Sequence, residues 1–441
     1  MTGVFYREPQ HQYPLAVRGE GVYLYDDQGK QYLDGSGGAA ISCLGHGHSG
    51  VISAVHEQLK KMAFAHTAFF TNQPQEDLSR ILSDQFGEPG AKVYFLSGGS
   101  ESNETALKLA RQYWVAVGRK EKKLMISRDQ SYHGNTLGAL SVTGNRGRQE
   151  IYGPLLKDWP KISPCYAYRH QRADETECEY GLRSALELEE KIIEAGAENV
   201  AAFIAETIVG ATLGAVPAVE GYFEKIREIC DRYEVLLILD EVMAGRGRTG
   251  TWFAFEQEGF TPDIVTVAKA LGGGYQPIGA VICRGYIHDH IVEACGSFEH
   301  GHTYVGHATG CAAGVAVAKI IEEQNLLSNV QEMGKTLKNA LESEFKNHPN
   351  VGDIRGRGMF LGVELVSDRM SKSAIGSIPQ LPLKIRNTAM RNGLICYPGG
   401  GTVNGVDGAH VLLAPPFIYN NDHVSELVGK LSATFKEVLG V

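Results

Sequence analysis

Residues 262–284, PDIVTVAKALGGGYQPIGAVICR, run an apolar strand-like stretch straight into Lys269 and then into three glycines. Most lysines are solvated surface groups, but one that ends a buried strand is placed differently. Burial lowers the pKa of an amine and supplies the neutral nucleophile that Schiff-base chemistry requires. On this stretch alone, a reactive lysine and an ordinary loop charge both remain open.

Working outward, residues 234–250, EVLLILDEVMAGRGRTG, carry an unbroken β-type run into adjacent Asp240 and Glu241. Two carboxylates at the end of a buried strand need a reason. One reading pairs a carboxylate with a ring nitrogen or a metal; the other is a helix cap plus a salt bridge. Further upstream, KVYFLSGGSESNETALKLARQYW (residues 92–114) reads as strand, tight turn and helix start. Glycines let the backbone approach a ligand closely, and the N–H groups of a helix start favour an anion, so Gly99 and Ser100 are candidate phosphate binders. The competing reading is a plain turn with a serine cap.

Two further strand-like runs end in polar residues. KLMIS leads into RDQSYHG, placing Tyr132 and His133 where an aromatic face covers a flat ring, and AAFIAETIVG places Glu206 at a strand terminus. Each has a structural reading as core wall or paired charge. Their coincidence is more informative, because ligands of open α/β sheets bind outside the carboxyl ends of the strands. A phosphate cradle, an aromatic, a carboxylate and a lysine at one sheet edge suit a phosphorylated aromatic aldehyde cofactor.

The rest of the chain fits that picture. Apolar residues make up 43% of the 441 positions and charged residues 21%, with 53 glycines, the profile of a soluble α/β protein rich in tight turns. A formal charge of −9 and the lack of a long basic run argue against nucleic acid as a partner. The eight cysteines are scattered without a C-x-x-C pair and read as reduced thiols. His46 and His48, in the glycine-rich GSGGAAISCLGHGH, read as turn and packing residues, and no metal site is expected. No apolar window reaches membrane-span length and no leader is evident at the amino terminus, so the expected address is the cytoplasm.

Alternating apolar runs and helical periods over about residues 66–318 predict a large, doubly wound domain. Residues 1–65 and 319–441 are expected to form a smaller domain together. Val330, Met333, Leu337, Leu341 and Phe345 recur along one face, predicting one long helix over 319–346 that leads out of the large domain. A strand over 359–366, a helix over about 380–391, a strand near HVLLAPP and an amphipathic terminal helix should follow.

These residues match a known pattern. The chain resembles the class III, or omega-type, aminotransferases of pyridoxal-phosphate (PLP) fold type I over nearly its whole length. The strongest likeness is LILDEVMAGRGRTGTWFAFEQEGFTPDIVTVAKALGGGYQPIGAV (residues 237–281). The resemblance implies an α/β fold: a large domain with a mostly parallel, seven-stranded type of sheet flanked by helices, plus a small α+β domain built from both termini. It implies that Lys269 forms the Schiff base with PLP and shuttles the proton, while Asp240 keeps the pyridine nitrogen protonated. It places Val242 and Tyr132 on opposite ring faces, His133 nearby, Glu206 beside the cofactor, and Gly99 and Ser100 at the phosphate. Thr303, in HGHTYVGHATGCAAG, matches a threonine that reaches the phosphate of the neighbouring subunit, implying a homodimer with shared active sites.

Three positions depart from the family pattern. Leu412 stands where members acting on α-amino acids carry a carboxylate-gripping arginine, Ala211 replaces a gating glutamate, and Thr207 replaces a proline. The resemblance therefore implies a primary amine or omega-amino acid as donor and a small keto acid, pyruvate, as acceptor. Phe69, Phe70 and Tyr166 are candidate walls of a more apolar pocket, with core packing the alternative. Racemases, decarboxylases and lyases share the same cofactor residues and remain the alternative activity.

Overall fold

The computed structural model describes residues 3–375 and 380–440. Its centre is a seven-stranded sheet in the order Lys92–Leu96, Gly279–Cys283, Ile264–Val267, Leu236–Asp240, Val200–Glu206, Leu124–Arg128, Lys161–Ile162. Gly279–Cys283 runs antiparallel to both of its neighbours, and the other pairs are parallel. The four middle strands are buried along their whole length, which is why they read as continuous apolar runs rather than as alternating ones.

Side chains of these strands still alternate between two helical layers, as the two-residue period of a strand requires. Leu237 and Leu239 join the core formed with Leu78, Leu188 and Ile226, from the helices Gln73–Phe86, Glu177–Ala195 and Tyr222–Arg232. Leu236 and Ile238 face the other way, toward Ala106, Ala110 and Trp114 of the helix Gly99–Ala116 and Ile287 of Gly285–Cys295. With the sheet covered on both faces, the strand ends are the place left for a ligand.

A four-stranded sheet joins Ala16–Glu20, Tyr23–Asp26 and Gln31–Asp34 to Leu394–Ile395, so the two ends of the chain share one sheet. Another packs Val351–Arg357, Phe360–Asp368, Ala409–Leu413 and Tyr397–Gly400, with Ser373–Ala374 added to the second strand. The helices Leu326–Phe345, Leu381–Arg391 and Asn421–Leu439 close the core of this region.

The single helix expected over 319–346 is two helices, Ala308–Glu323 and Leu326–Phe345. Asn325 lies between them with φ +52°, a left-handed conformation that ends the first helix and turns the chain into the second. The expected apolar face survives in the second helix, where Val330, Met333, Leu337, Leu341 and Phe345 are all buried.

His46 pairs with Asp34 at 2.9 Å, and His48 caps the helix Ser49–Lys61 by accepting from the Gly50 N–H at 3.2 Å, so both serve the turn. All eight cysteines are free thiols. Among the described residues, no helix is long and apolar enough to cross a membrane.

Candidate active site

Register brings the polar strand ends together. Asp240 pairs with Glu206 on one side and Thr266 on the other, so the carboxyl ends of three parallel strands are level. Outside that edge lies a cavity of about 410 Å³ whose wall includes Gly99, Ser100, Tyr132, His133, Glu206, Asp240, Val242 and Lys269. Residues far apart in the chain meet here because each ends a strand that points the same way.

Asp240 is 4% exposed. Its Oδ2 accepts from Asn103 Nδ2 at 2.7 Å and lies 2.9 Å from His133 Nδ1, while Oδ1 accepts from the Val242 N–H at 3.0 Å. An ionised carboxylate only accepts, so this arrangement places a proton on His133 Nδ1. His133 Nε2 is buried and has no hydrogen-bond partner among the described residues. Asn103 is in turn fixed by donating to the His133 carbonyl at 2.6 Å and accepting from Thr266 Oγ1 at 2.8 Å. The orientation of Asp240 is thus set by three elements at once.

Lys269 follows the strand Ile264–Val267 and opens a short 3₁₀ turn, Lys269–Leu271, with φ +48°. A non-glycine residue held left-handed is strained, and such strain concentrates where surroundings fix a functional side chain. Burial pulls the amine down to about 8, against the opposing charges of Asp240 and Glu206, which hold it up. A substantial fraction of Lys269 is therefore neutral slightly above neutral pH.

The helix Gly99–Ala116 begins at the cavity without a side-chain cap, because Gly98 holds the N-cap position. Gly99 and Ser100, which line the cavity, stand at the positive end of the helix dipole. Gly99 is required sterically: a Cβ there would come within 2.6 Å of Val242 Cγ1. Tyr132 completes the wall, with the Arg148 guanidinium 4.8 Å from its ring centroid.

The two other strand-end glutamates are pinned from within the protein. Glu206 accepts the Tyr132 and Gly210 N–H groups, each at 2.9 Å, and burial raises its pKa. Glu241 turns away from the cavity and accepts from Ala254 N–H at 2.7 Å, Phe255 N–H at 2.8 Å and Thr207 Oγ1 at 2.9 Å. Of the adjacent pair, Asp240 faces the cavity and Glu241 anchors a loop.

Five other expected positions lie outside this wall. Thr303 is on an exposed turn. Phe69 and Phe70 are 79% and 66% exposed. Tyr166 is buried, with its hydroxyl donating to Glu364 Oε2 at 2.6 Å, and Leu412 is buried among Met243, Phe360 and Ala414. Conversely, Asn103, Met243 and Gln276 line the cavity without having been singled out in the sequence. A polar residue on the inward face of the helix after SGGS was the available signal for Asn103.

The family model for class III aminotransferases matches residues 5–435. The protein is a class III aminotransferase. An uncharacterized aminotransferase of Schizosaccharomyces pombe is 44% identical, covering 98% of this chain and 94% of that one. The diaminobutyrate–2-oxoglutarate transaminase of Halomonas elongata is 34% identical, covering 95% and 89%. Among solved structures, an omega transaminase of Pseudomonas jessenii in complex with PMP superposes with a TM-score of 0.91 at 33% identity, covering 98% and 97%.

Class III aminotransferases are PLP-dependent, and the residues of this aminotransferase fit that cofactor. The uncapped helix start suits a phosphate, the engaged carboxylate of Asp240 suits a protonated pyridine nitrogen, and the Lys269 amine suits an aldehyde. Val242 and Tyr132 both line the same cavity.

Proposed function

We propose that this aminotransferase moves an amino group from a primary amine or omega-amino acid to a small 2-keto acid, pyruvate, in two half-reactions at one site. The observation that carries the reading is Lys269, a strained amine with its pKa lowered to about 8, in one cavity with the fixed carboxylate of Asp240. Bound PLP supplies the electron sink that lets the substrate α-proton leave. With PLP bound, Lys269 would hold the aldehyde carbon, and its amine, when free, would carry the substrate α-proton. Asp240, held by Asn103 and His133, keeps a proton on the ring nitrogen. Val242 and Tyr132 hold the ring between them, and the Gly99 and Ser100 N–H groups hold the phosphate.

Donor choice rests on Leu412. No arginine stands there: Leu412 lies outside the cavity wall, packed with Met243 and Phe360, and offers no grip for an α-carboxylate. The exposure of Thr303, Phe69 and Phe70 supports a homodimer in which Thr303 reaches the partner's cofactor phosphate and the phenylalanines meet the partner's surface. The cytoplasm is the proposed location.

The test mixes purified protein with amines and amino acids without keto acid and follows the cofactor absorbance. An amine or omega-amino acid should convert it to that of pyridoxamine phosphate, and pyruvate should restore it. Release of carbon dioxide, or appearance of the opposite enantiomer with the starting absorbance retained, replaces this reading with a decarboxylase or racemase. Thr303→Ala should weaken cofactor retention in a particle of dimer mass; a monomer that retains PLP would refute the shared site.

A further inference from the structure

We propose that Arg148 is the carboxylate anchor for donors whose acid group lies far from the amine. The inference deepens the reading above and rests on it: an omega-amino acid carries a distal carboxylate, and the arginine position at Leu412 is apolar. The chain must then supply positive charge elsewhere or forgo that class of donor.

Arg148 lies on the short helix Arg146–Gln149, which the chain reaches shortly after Tyr132 and His133. Its guanidinium carbon sits 4.8 Å from the centroid of the Tyr132 ring, and that ring is part of the cavity wall. Stacking on an aromatic face orients a guanidinium plane while leaving its N–H fork available. Among the described residues Arg148 has no carboxylate partner. Among the described residues its side chain makes one hydrogen bond, to Asn135 Oδ1 at 3.5 Å, at the limit of a useful contact. The contrast with Arg169 and Arg355, both committed to Glu364, is direct. Burial raises the pKa of the Tyr132 hydroxyl, and the Arg148 charge is the largest influence that opposes it.

Depth sorts the substrates. The amine of a donor must reach Lys269, so an α-carboxylate stays deep, near the reacting carbon. A carboxylate several bonds away extends out of the cavity past Tyr132, toward Arg148, which is exposed and stands outside the cavity lining. A planar fork meeting a carboxylate is also the geometry that Arg provides and Lys does not. The same reasoning predicts that pyruvate, whose carboxylate adjoins its carbonyl, does not depend on Arg148.

The experiment compares 4-aminobutyrate with butylamine, which match in chain length and differ in the distal acid. The readout is the ratio of their kcat/KM values in the donor half-reaction. Arg148→Gln should lower that ratio on the order of 10- to 100-fold, the worth of a charge-assisted hydrogen-bonded pair. The loss should appear in the donor KM and not in the KM for pyruvate. Arg148→Lys should recover part of the ratio, and Arg146→Gln, an exposed charge on the same helix, should move it far less. An unchanged ratio in Arg148→Gln, an equal drop in Arg146→Gln, or a wild-type protein without preference for the acid overturns the proposal. If neither donor nor any other amine converts the cofactor in the wild type, the transaminase reading itself has failed. That outcome is separate, because it is seen before any variant is made.

Discussion

Asp240 and Glu364 are both buried carboxylates, and the protein treats them in opposite ways. Glu364 is enclosed by permanent partners: it accepts from the Tyr166 hydroxyl and pairs with Arg169 and, at 2.7 Å, with Arg355. These opposing charges win over burial and hold its carboxyl below the usual range. Arg355 extends the cluster by donating to the Leu213 and Gly214 carbonyls, which ties the strand Val351–Arg357 to the loop beside the active site. Among the described residues Asp240 has no arginine partner. Its neighbours are an amide, an imidazole and a backbone N–H, and it faces a cavity that also holds Lys269. A carboxylate surrounded by its own cations stabilises an arrangement; one held by an amide, an imidazole and a backbone N–H beside an open cavity is kept for something that arrives.

If that contrast is right, changes on the two sides should fail differently. Lys269→Ala should lose turnover by more than about 10³-fold, since nucleophile and proton carrier go together, while unfolding midpoints barely move. Activity assays paired with denaturant titration check both halves. Asp240→Asn keeps the shape and removes the charge, and should lower kcat by roughly 10²–10³-fold, as expected where a fixed charge opposes one that forms in the reaction. Glu364→Ala should do the reverse: it leaves Arg169 without its anion and Arg355 with Asp353 alone, and costs about 3–5 kcal/mol of stability, with kcat of the folded fraction retained. A Glu364→Ala protein that is stable but inactive would erase the distinction.

Acidity offers a gentler probe. Lys269 has its amine at about 8, lowered by burial, so its neutral fraction grows as pH rises through that value. The uptake of PLP by the apoprotein should therefore accelerate with pH and level off above a midpoint near 8. A midpoint near the ordinary lysine range would mean that the cavity does not desolvate the amine.

The two sides also differ in how far the sequence reveals them. The active-site edge was readable because each functional residue closes a local unit: an apolar run, a turn, a polar residue. Lys269 before three glycines and Asp240 after five apolar residues need no knowledge of distant partners. The Asp240–Glu241 pair was readable only as a pair, since which one faces the cavity depends on the N–H groups of Ala254 and Phe255. Asn103 was hidden because a polar residue in a helix usually faces water, and its two strand partners come from 137 and 163 residues later. The break at Asn325 was hidden by apolar spacing that continues smoothly across it, although a backbone conformation, not a side-chain pattern, ends the helix. Leu412 and Tyr166 have the look of pocket residues from their neighbourhood, and their burial is decided by strands far along the chain.

Tyr166 gives the smallest and sharpest test of the comparison. Its ring is 1% exposed and its hydroxyl is committed to Glu364, so the structure puts it in the ion cluster. Tyr166→Phe deletes one hydrogen bond to a charged group and leaves the ring in place, at a cost of about 1.5–3 kcal/mol. Glu364 keeps both arginines, so the loss should stay below that of Glu364→Ala. Donor KM should not change, because no polar atom of the cavity wall has been touched. A shift in donor KM with unchanged stability would move Tyr166 from the cluster into the substrate pocket, and would show that the cluster reaches the chemistry through this side chain.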